Sequence, residues 1–348
     1  MALLPGQTLT ASGCSNYIFG SNMAQEGWAT HTVRNTPQMQ AQIKAGGFTL
    51  MRCSIVQGSS DTFIDQTVQA CVNMGCAMLV ILNHGDLAWN QHLVTRLGIH
   101  CNLYEFSNEP DIANPPIPWS QYLSLWNQHI PAMRAINSNA AYIGPVLGVF
   151  DNLNSYFVPW LQGCKATGVL PNAVSYHIYP CTGNQWDVSS CAPRATSFQD
   201  AAKKVTVAVT GILGYDLPQC LTEWNIDANN PVHVFAKDAT FVTNWTKQAL
   251  DSMVSAGLAM ACQWDAGSQA ASGAVDLIST STFQPNPSGQ YQAMVERIQH
   301  YMSGAVPTPT PVPTPTPIPT PPPVTDTATA IGQAVLDFFA ALKKAGLL

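Results

Sequence analysis

Charge is scarce in this chain. Only 10% of its 348 residues are charged, and 14 Lys plus Arg stand against 20 Asp plus Glu, a formal net charge of −6 at pH 7. So few cations leave no broad positive surface to hold a phosphate backbone, which argues against nucleic-acid binding. Long apolar runs are missing as well. No stretch reaches the roughly 18 residues of a membrane-crossing helix, and the longest runs, such as residues 77–82, have the length of a buried strand. The start of the chain, M-A-L-L-P-G, has neither the basic segment nor the long apolar core of a secretory signal.

Several chemical signatures are also absent. No G-x-G-x-x-G follows a strand-like run, which argues against a dinucleotide site. The eight His show no H-E-x-x-H and no ligand spacing, so no metal site is expected. There is no G-x-S-x-G elbow for a serine hydrolase and no C-x-x-C pair for a zinc ribbon or a dithiol site.

Cysteine, by contrast, is plentiful. Ten Cys are many for a cytosolic enzyme of this size and fit an oxidising compartment, so a secreted, extracellular protein is expected. Cys181 and Cys191 bracket a Gly- and Ser-containing stretch that reads as a stapled surface loop. Cys14, Cys53, Cys71, Cys76, Cys101, Cys164, Cys220 and Cys262 cannot be paired from spacing alone, and several are expected as buried thiols.

Composition divides the chain into three. Residues 307–323 alternate Pro and Thr with occasional Val or Ile, too poor in apolar residues for a core and inclined to extended polyproline II. The expected boundaries are a barrel domain at 1–304, a Pro/Thr-rich linker at 305–324 and an amphipathic helical tail at 325–348. In the tail Ile331, Val335, Phe338, Phe339 and Leu342 recur at helical spacing, opposite Gln333, Asp337, Lys343 and Lys344. Such a helix reads either as a frayed or self-associating tail or as a peptide that docks on a partner.

Before the linker, short β-rich runs occur at 16–23, 48–55, 77–84, 102–108, 141–147, 173–179, 220–224 and 259–264. Segments of helical periodicity lie between them, for example Phe63, Thr67, Val68, Cys71 and Val72, or Tyr122, Leu125, Trp126, His129 and Met133, and a last one follows at 291–302. Eight strand–helix units in about 300 residues predict an α/β fold, a (β/α)8 TIM barrel. A doubly wound sheet would alternate similarly, but the count of units favours the barrel.

In such a barrel the reacting groups stand at the C-terminal ends of the strands. Here those ends are polar: Arg52, Asn83-His84, Ser107-Asn108-Glu109-Pro110-Asp111, His177-Ile178-Tyr179, Thr222-Glu223-Trp224-Asn225 and Gln263-Trp264-Asp265. The chain has only five Glu, and two of them, Glu109 and Glu223, fall at strand ends on opposite sides. Two facing carboxyl groups suit glycoside hydrolysis, in which one gives a proton to the leaving oxygen and the other attacks the anomeric carbon or activates water. Arg52 and Tyr179 are placed to keep Glu223 a carboxylate, whereas Glu109 beside neutral Asn108 is expected to stay protonated. Glu109 is therefore read as acid/base and Glu223 as nucleophile, with Asn108 on the sugar 2-hydroxyl.

These residues carry a resemblance. The stretches Y-E-F-S-N-E-P-D, with Glu109, and L-T-E-W-N, with Glu223, resemble those of the clan A retaining glycoside hydrolases, which pair an N-E-P acid/base motif on the fourth strand with a nucleophilic glutamate on the seventh. The set Arg52, His84, Asn108, Glu109, His177, Tyr179, Glu223 and Trp264 resembles that of glycoside hydrolase family five, the cellulase family. T-E-W-N and S-Y-H-I-Y-P are similar instead to family thirty-nine and related exo-acting enzymes. The resemblance spans roughly residues 13–302. It implies double displacement with retention on a β-linked glycoside, without a cofactor, and carboxyl groups about 5–5.5 Å apart.

Tryptophan supplies a second argument. Trp28, Trp89, Trp119 and Trp186 follow strands one, three, four and six, and Trp264 ends strand eight, so they are expected on one rim as stacking platforms for sugar rings. Trp126, Trp160 and Trp245 fall in helical segments and are assigned to packing. Simpler roles exist for single residues: Arg52 as the buried partner of Glu105, His84 and His177 as satisfied core histidines, and Asp111 as a residue shaping the mouth. The expected activity is cleavage of a polysaccharide or oligosaccharide, with a β-1,4-glucan favoured over xylan or mannan. An exo-acting xylosidase- or mannosidase-like enzyme and a non-catalytic carbohydrate-binding barrel are the alternatives.

Overall fold

The computed structural model describes residues 3–23, 30–183, 186–228, 238–267 and 276–303. Eight parallel strands close into a barrel in sequence order. They are β1 Gly20–Met23, β2 Leu50–Cys53, β3 Ala77–Leu82, β4 Leu103–Phe106, β5 Ala141–Leu147, β6 Ala173–Ile178, β7 Gln219–Trp224 and β8 Met260–Gln263, with β8 pairing back onto β1. Each predicted run overlaps one of them, β7 starting one residue before its run, and the (β/α)8 barrel is the fold. Most strands are shorter than their runs. The first run departs most: its opening residues form a 3-10 turn, Asn16–Ile18, because the Ser15 hydroxyl accepts the Tyr17 N–H and donates to the Ala259 carbonyl.

The outer helices follow from caps and periodicity. They are α1 Pro37–Gly46, α2 Asp61–Met74, α3 Leu87–Leu97, α4 Trp119–Ile136, α5 Phe157–Thr167, the short α6 Val188–Cys191, α7 Ser197–Leu213, α8 Ala239–Ser255 and α9 Gln290–Met302. Ser60 and Asp86 cap α2 and α3 by accepting the Phe63 and Trp89 N–H groups. On α7 the buried face is Phe198, Ala201, Ala202, Val205 and Val209, the spacing of one helical stripe. Trp126 and Trp160 meet edge to face with ring centroids 5.3 Å apart between α4 and α5, and Trp245 is buried on α8.

Inside the barrel, side chains alternate along each strand. Leu50, Leu79, Leu103, Ala141, Ile143, Ala173, Cys220, Met260 and Cys262 form an apolar floor, closed from below by Leu4 and Tyr17. Their immediate neighbours Met51, Tyr104 and Val174 turn outward into the larger cluster packed beneath the helices. The next inward positions are polar and buried: Arg52, Glu105 and Ser175.

Cys181 and Cys191 form a disulfide, as the sequence suggested, and the other eight Cys are free, seven of them buried and Cys76 half-buried. Among the described residues no helix is long and apolar enough to cross a membrane. Met1–Ala305 forms one compact unit. The expected linker at 305–324 and helical tail at 325–348 lie outside the described residues, as does Trp28.

Candidate active site

Arg52 organises the mouth of the barrel. Its guanidinium offers five N–H donors in a rigid fork. Nε donates to Glu105 Oε2 at 2.5 Å, Nη1 to Glu223 Oε1 at 2.6 Å and to Asn22 Oδ1 at 3.0 Å, and Nη2 to Asn108 Oδ1 at 2.6 Å. The structural partner Glu105 and the site residue Glu223 are thus held at once, not alternately. Burial opposes the charge on Arg52, but Glu105 and Glu223 outweigh it and keep the guanidinium protonated.

Glu223 is placed by an irregularity in the sheet. Tyr176 on β6 pairs with Leu221 on β7, yet the next residue, His177, pairs with Glu223, so Thr222 is the extra residue of a bulge. The slip sets Glu223 beside His177. Its second oxygen accepts from the Tyr179 hydroxyl at 2.7 Å and lies 3.5 Å from His177 Nδ1. Burial, and then the charge of Glu223, push the Tyr179 phenol far up, so it stays a donor.

Glu109 sits differently, just beyond β4 on a turn where Ser107 and Glu109 have φ of 73° and 45°. Its Oε1 lies 2.8 Å from His177 Nδ1, and its side chain is 26% exposed, against 9% for Glu223. The sequence suggested a protonated Glu109 beside neutral Asn108; the structure corrects this. Burial raises the Glu109 pKa, but the hydrogen bond and charge of His177, helped by Arg52, bring it below the usual carboxylate range. For His177, burial opposes protonation, and the charge of Glu223 with the Glu109 hydrogen bond raises it above the ordinary histidine value. Both directions favour a Glu109 carboxylate paired with His177.

One ligand atom each of Glu109, His177 and Glu223 lie within 4.8 Å of one another, close enough to surround a cation. The Arg52 guanidinium, however, already neutralises Glu223 at 2.6 Å, and a dication there would face that charge.

The remaining predicted residues are spread around this centre. His84, half-buried after β3, has Nδ1 2.9 Å from the Ser107 hydroxyl, and burial lowers its pKa toward the neutral form. Trp264 follows β8 and is partly buried. A cleft of about 860 Å³ opens from Glu109, His177 and Tyr179, passes Gly148 and Phe150, and ends near Arg194 and Lys204. The expected tryptophan platforms do not line it. Trp89 packs half-buried on the core at the first turn of α3, Trp119 begins α4, and Trp186 donates to the Thr182 carbonyl while Arg194 covers its face at 4.9 Å. Trp119 is exposed, and of these three rings only that of Trp186 has a cation over its face.

Two contributors escaped the sequence reading. Asn22, next to last in β1, accepts from Arg52 and donates to the Thr222 carbonyl at 3.1 Å; its position near a strand end was the available signal. Gly148, after β5, passes so close to Glu109 that an added Cβ would lie 2.8 Å from the Glu109 Cβ.

No protein-family model matches this chain, and no curated protein matches it in sequence. Solved structures do match in shape. A glucosidase from Croceicoccus marinus superposes with a TM-score of 0.59 at 14% identity, over 80% of this chain and 66% of that one. The barrel is one that glycoside hydrolases share. A family 39 glycoside hydrolase from the gut symbiont Bacteroides cellulosilyticus gives 0.57 at 14% identity, over 83% and 64% of the two chains. A GH5-4 broad specificity endoglucanase from Clostridium longisporum gives 0.60 at 13% identity, over 84% of this chain and 100% of that one. The chain spans just under two thirds of the length of the first two. At such identities the likeness is one of fold.

Proposed function

We propose that this protein is a retaining glycoside hydrolase that cleaves β-glycosidic bonds of a polysaccharide or oligosaccharide by double displacement, with Glu223 as nucleophile and Glu109 as acid/base. The observation that carries this reading is the approach of the two carboxyl groups, with an oxygen of each inside the 4.8 Å span that also includes His177. That separation suits direct attack on the anomeric carbon; inverting enzymes need about 6.5–9.5 Å to seat a water.

The proton moves through the Glu109–His177 pair. Glu223 attacks the anomeric carbon as the glycosidic C–O bond breaks, and the negative charge that favours the imidazolium is consumed. His177 then yields its proton to Glu109, which passes it to the leaving oxygen. In the second step Glu109, again a carboxylate, takes a proton from water as the oxygen of that water attacks the anomeric carbon and releases Glu223. The proton returns to the pair. Arg52 and Tyr179, each bonded to one oxygen of Glu223, hold it for in-line attack.

The cleft on the Glu109 side is deep enough for more than a small aglycone and favours a chain substrate, with a β-1,4-glucan first among candidates. The Cys181–Cys191 disulfide supports action outside the cell. The test is hydrolysis by the purified chain and its Glu223→Gln variant on β-glucan, xylan, mannan and aryl β-glycosides, with product anomers followed by NMR. Activity with retained anomers that vanishes in the variant is the expected result. Binding of sugar without turnover by the native chain would replace this reading with a carbohydrate-binding barrel.

A further inference from the structure

Glu109 stands on a turn that a second loop braces. Left-handed backbone at Ser107 and at Glu109 is disfavoured for non-glycine residues, so the turn is sensitive to what packs against it. The support comes from the next loop. Asp111 Oδ1 accepts the Gly148 N–H at 2.7 Å, and Oδ2 accepts the Val149 N–H at 3.1 Å and Asn152 Nδ2 at 2.9 Å. Three donors on one carboxylate make a strong bracket. What it brackets is the backbone that touches Glu109: a Cβ on Gly148 would come within 2.8 Å of the Glu109 Cβ, 2.9 Å of its Cγ and 2.9 Å of Ile112 Cδ1. The peptide at Gly148 is thus a shelf against the methylene stem of Glu109.

We propose that Asp111 is a positioning residue that sets the aim of Glu109, by fixing the Gly148–Val149 shelf against its stem. The inference rests on Glu109 being the acid/base. Asp111 touches neither the reacting carbon nor the leaving oxygen; it acts through Glu109 alone, so its loss should injure proton delivery and spare attack by Glu223. A misplacement of about 1 Å at a reacting group costs on the order of 100-fold in rate, and only reactions that need the proton would show it.

The test compares aryl β-glycosides with a good leaving group, 2,4-dinitrophenol, and a poor one, phenol, in Asp111→Ala, Asp111→Asn and Gly148→Ala, with Glu109→Ala as reference. We expect Asp111→Ala to slow the phenyl substrate by about 10- to 100-fold and the dinitrophenyl substrate by less than about threefold, with cooperative thermal unfolding retained. Asp111→Asn, which keeps one acceptor oxygen, should fall between it and the native chain, and Gly148→Ala should reproduce the split. Equal losses on both substrates, no loss, or failure of all three variants to fold would overturn the proposal and leave Asp111 a stabilising residue only. If Glu109→Ala itself shows no split, the acid/base reading is at fault and not the bracket.

Discussion

Leu50 and Arg52 stand two residues apart on one strand, both buried and both facing the barrel axis, yet they belong to different regions. Around Leu50 lies a floor of Leu, Ile, Ala, Met and Cys side chains; around Arg52 lies a mouth of Glu105, Asn108, Glu223 and Asn22. The floor is held by non-directional burial, and each side chain is replaceable by another of similar volume. The mouth is held by directional bonds between particular donors and acceptors, and removing one partner leaves another unpaired. One scaffold therefore carries a tolerant region that supplies stability and an exacting region that supplies chemistry, separated by a single alternation of the strands.

Substitutions can break or sharpen that division. The largest effect is expected from the mouth: Glu223→Gln keeps shape and should remove turnover by on the order of 10⁴- to 10⁶-fold, with at most a modest fall in melting temperature from the weakened Arg52 pair. A large drop in melting temperature would show that the mouth also carries the fold. On the floor, Leu103→Ala should lower stability by about 2–5 kcal/mol in denaturant unfolding, while kcat per folded molecule stays native. A tenfold fall in that kcat would join the two regions.

A smaller effect comes from His177→Asn. In the native pair the last proton leaves an imidazole whose affinity is raised; without it the proton sits on Glu109, a carboxyl group that binds protons more weakly than imidazole even with burial raising it. The basic limb of the kcat/KM profile should therefore move to lower pH by about one unit or more, and an unmoved limb would remove His177 from the proton path. The smallest is Cys181→Ser with Cys191→Ser. Opening the loop should change the ratio of activity on long and short oligosaccharides by a few-fold; an equal loss at all lengths would assign the disulfide to folding.

The barrel was legible because alternation of β-rich and helical runs is a local signal, and the mouth was legible because Arg52, Asn108, Glu109, His177, Tyr179 and Glu223 each end a strand run. The Cys181–Cys191 staple was legible from the loop it closes. Partnership across the barrel was not. Glu109 was read beside its neighbour in sequence, Asn108, whereas the group that governs it, His177, is 68 positions away. The bulge at Thr222 left no trace either, since it exists only as a register difference between two strands. Gly148 reads as any loop glycine until the stem of Glu109 is set against it.

The reach of Arg52 has a consequence for how the molecule assembles. Its four partners lie 30, 53, 56 and 171 positions further along or back in the chain, on or just after β1, β4 and β7. No fragment ending before Glu223 can complete the fork, however well its helices have formed, and contacts of such long range are among the slowest to close. During synthesis or refolding the site would be assembled only when the last quarter of the barrel docks on the first. Recovery of activity is therefore a clock for ring closure, and it should lag the return of helical signal.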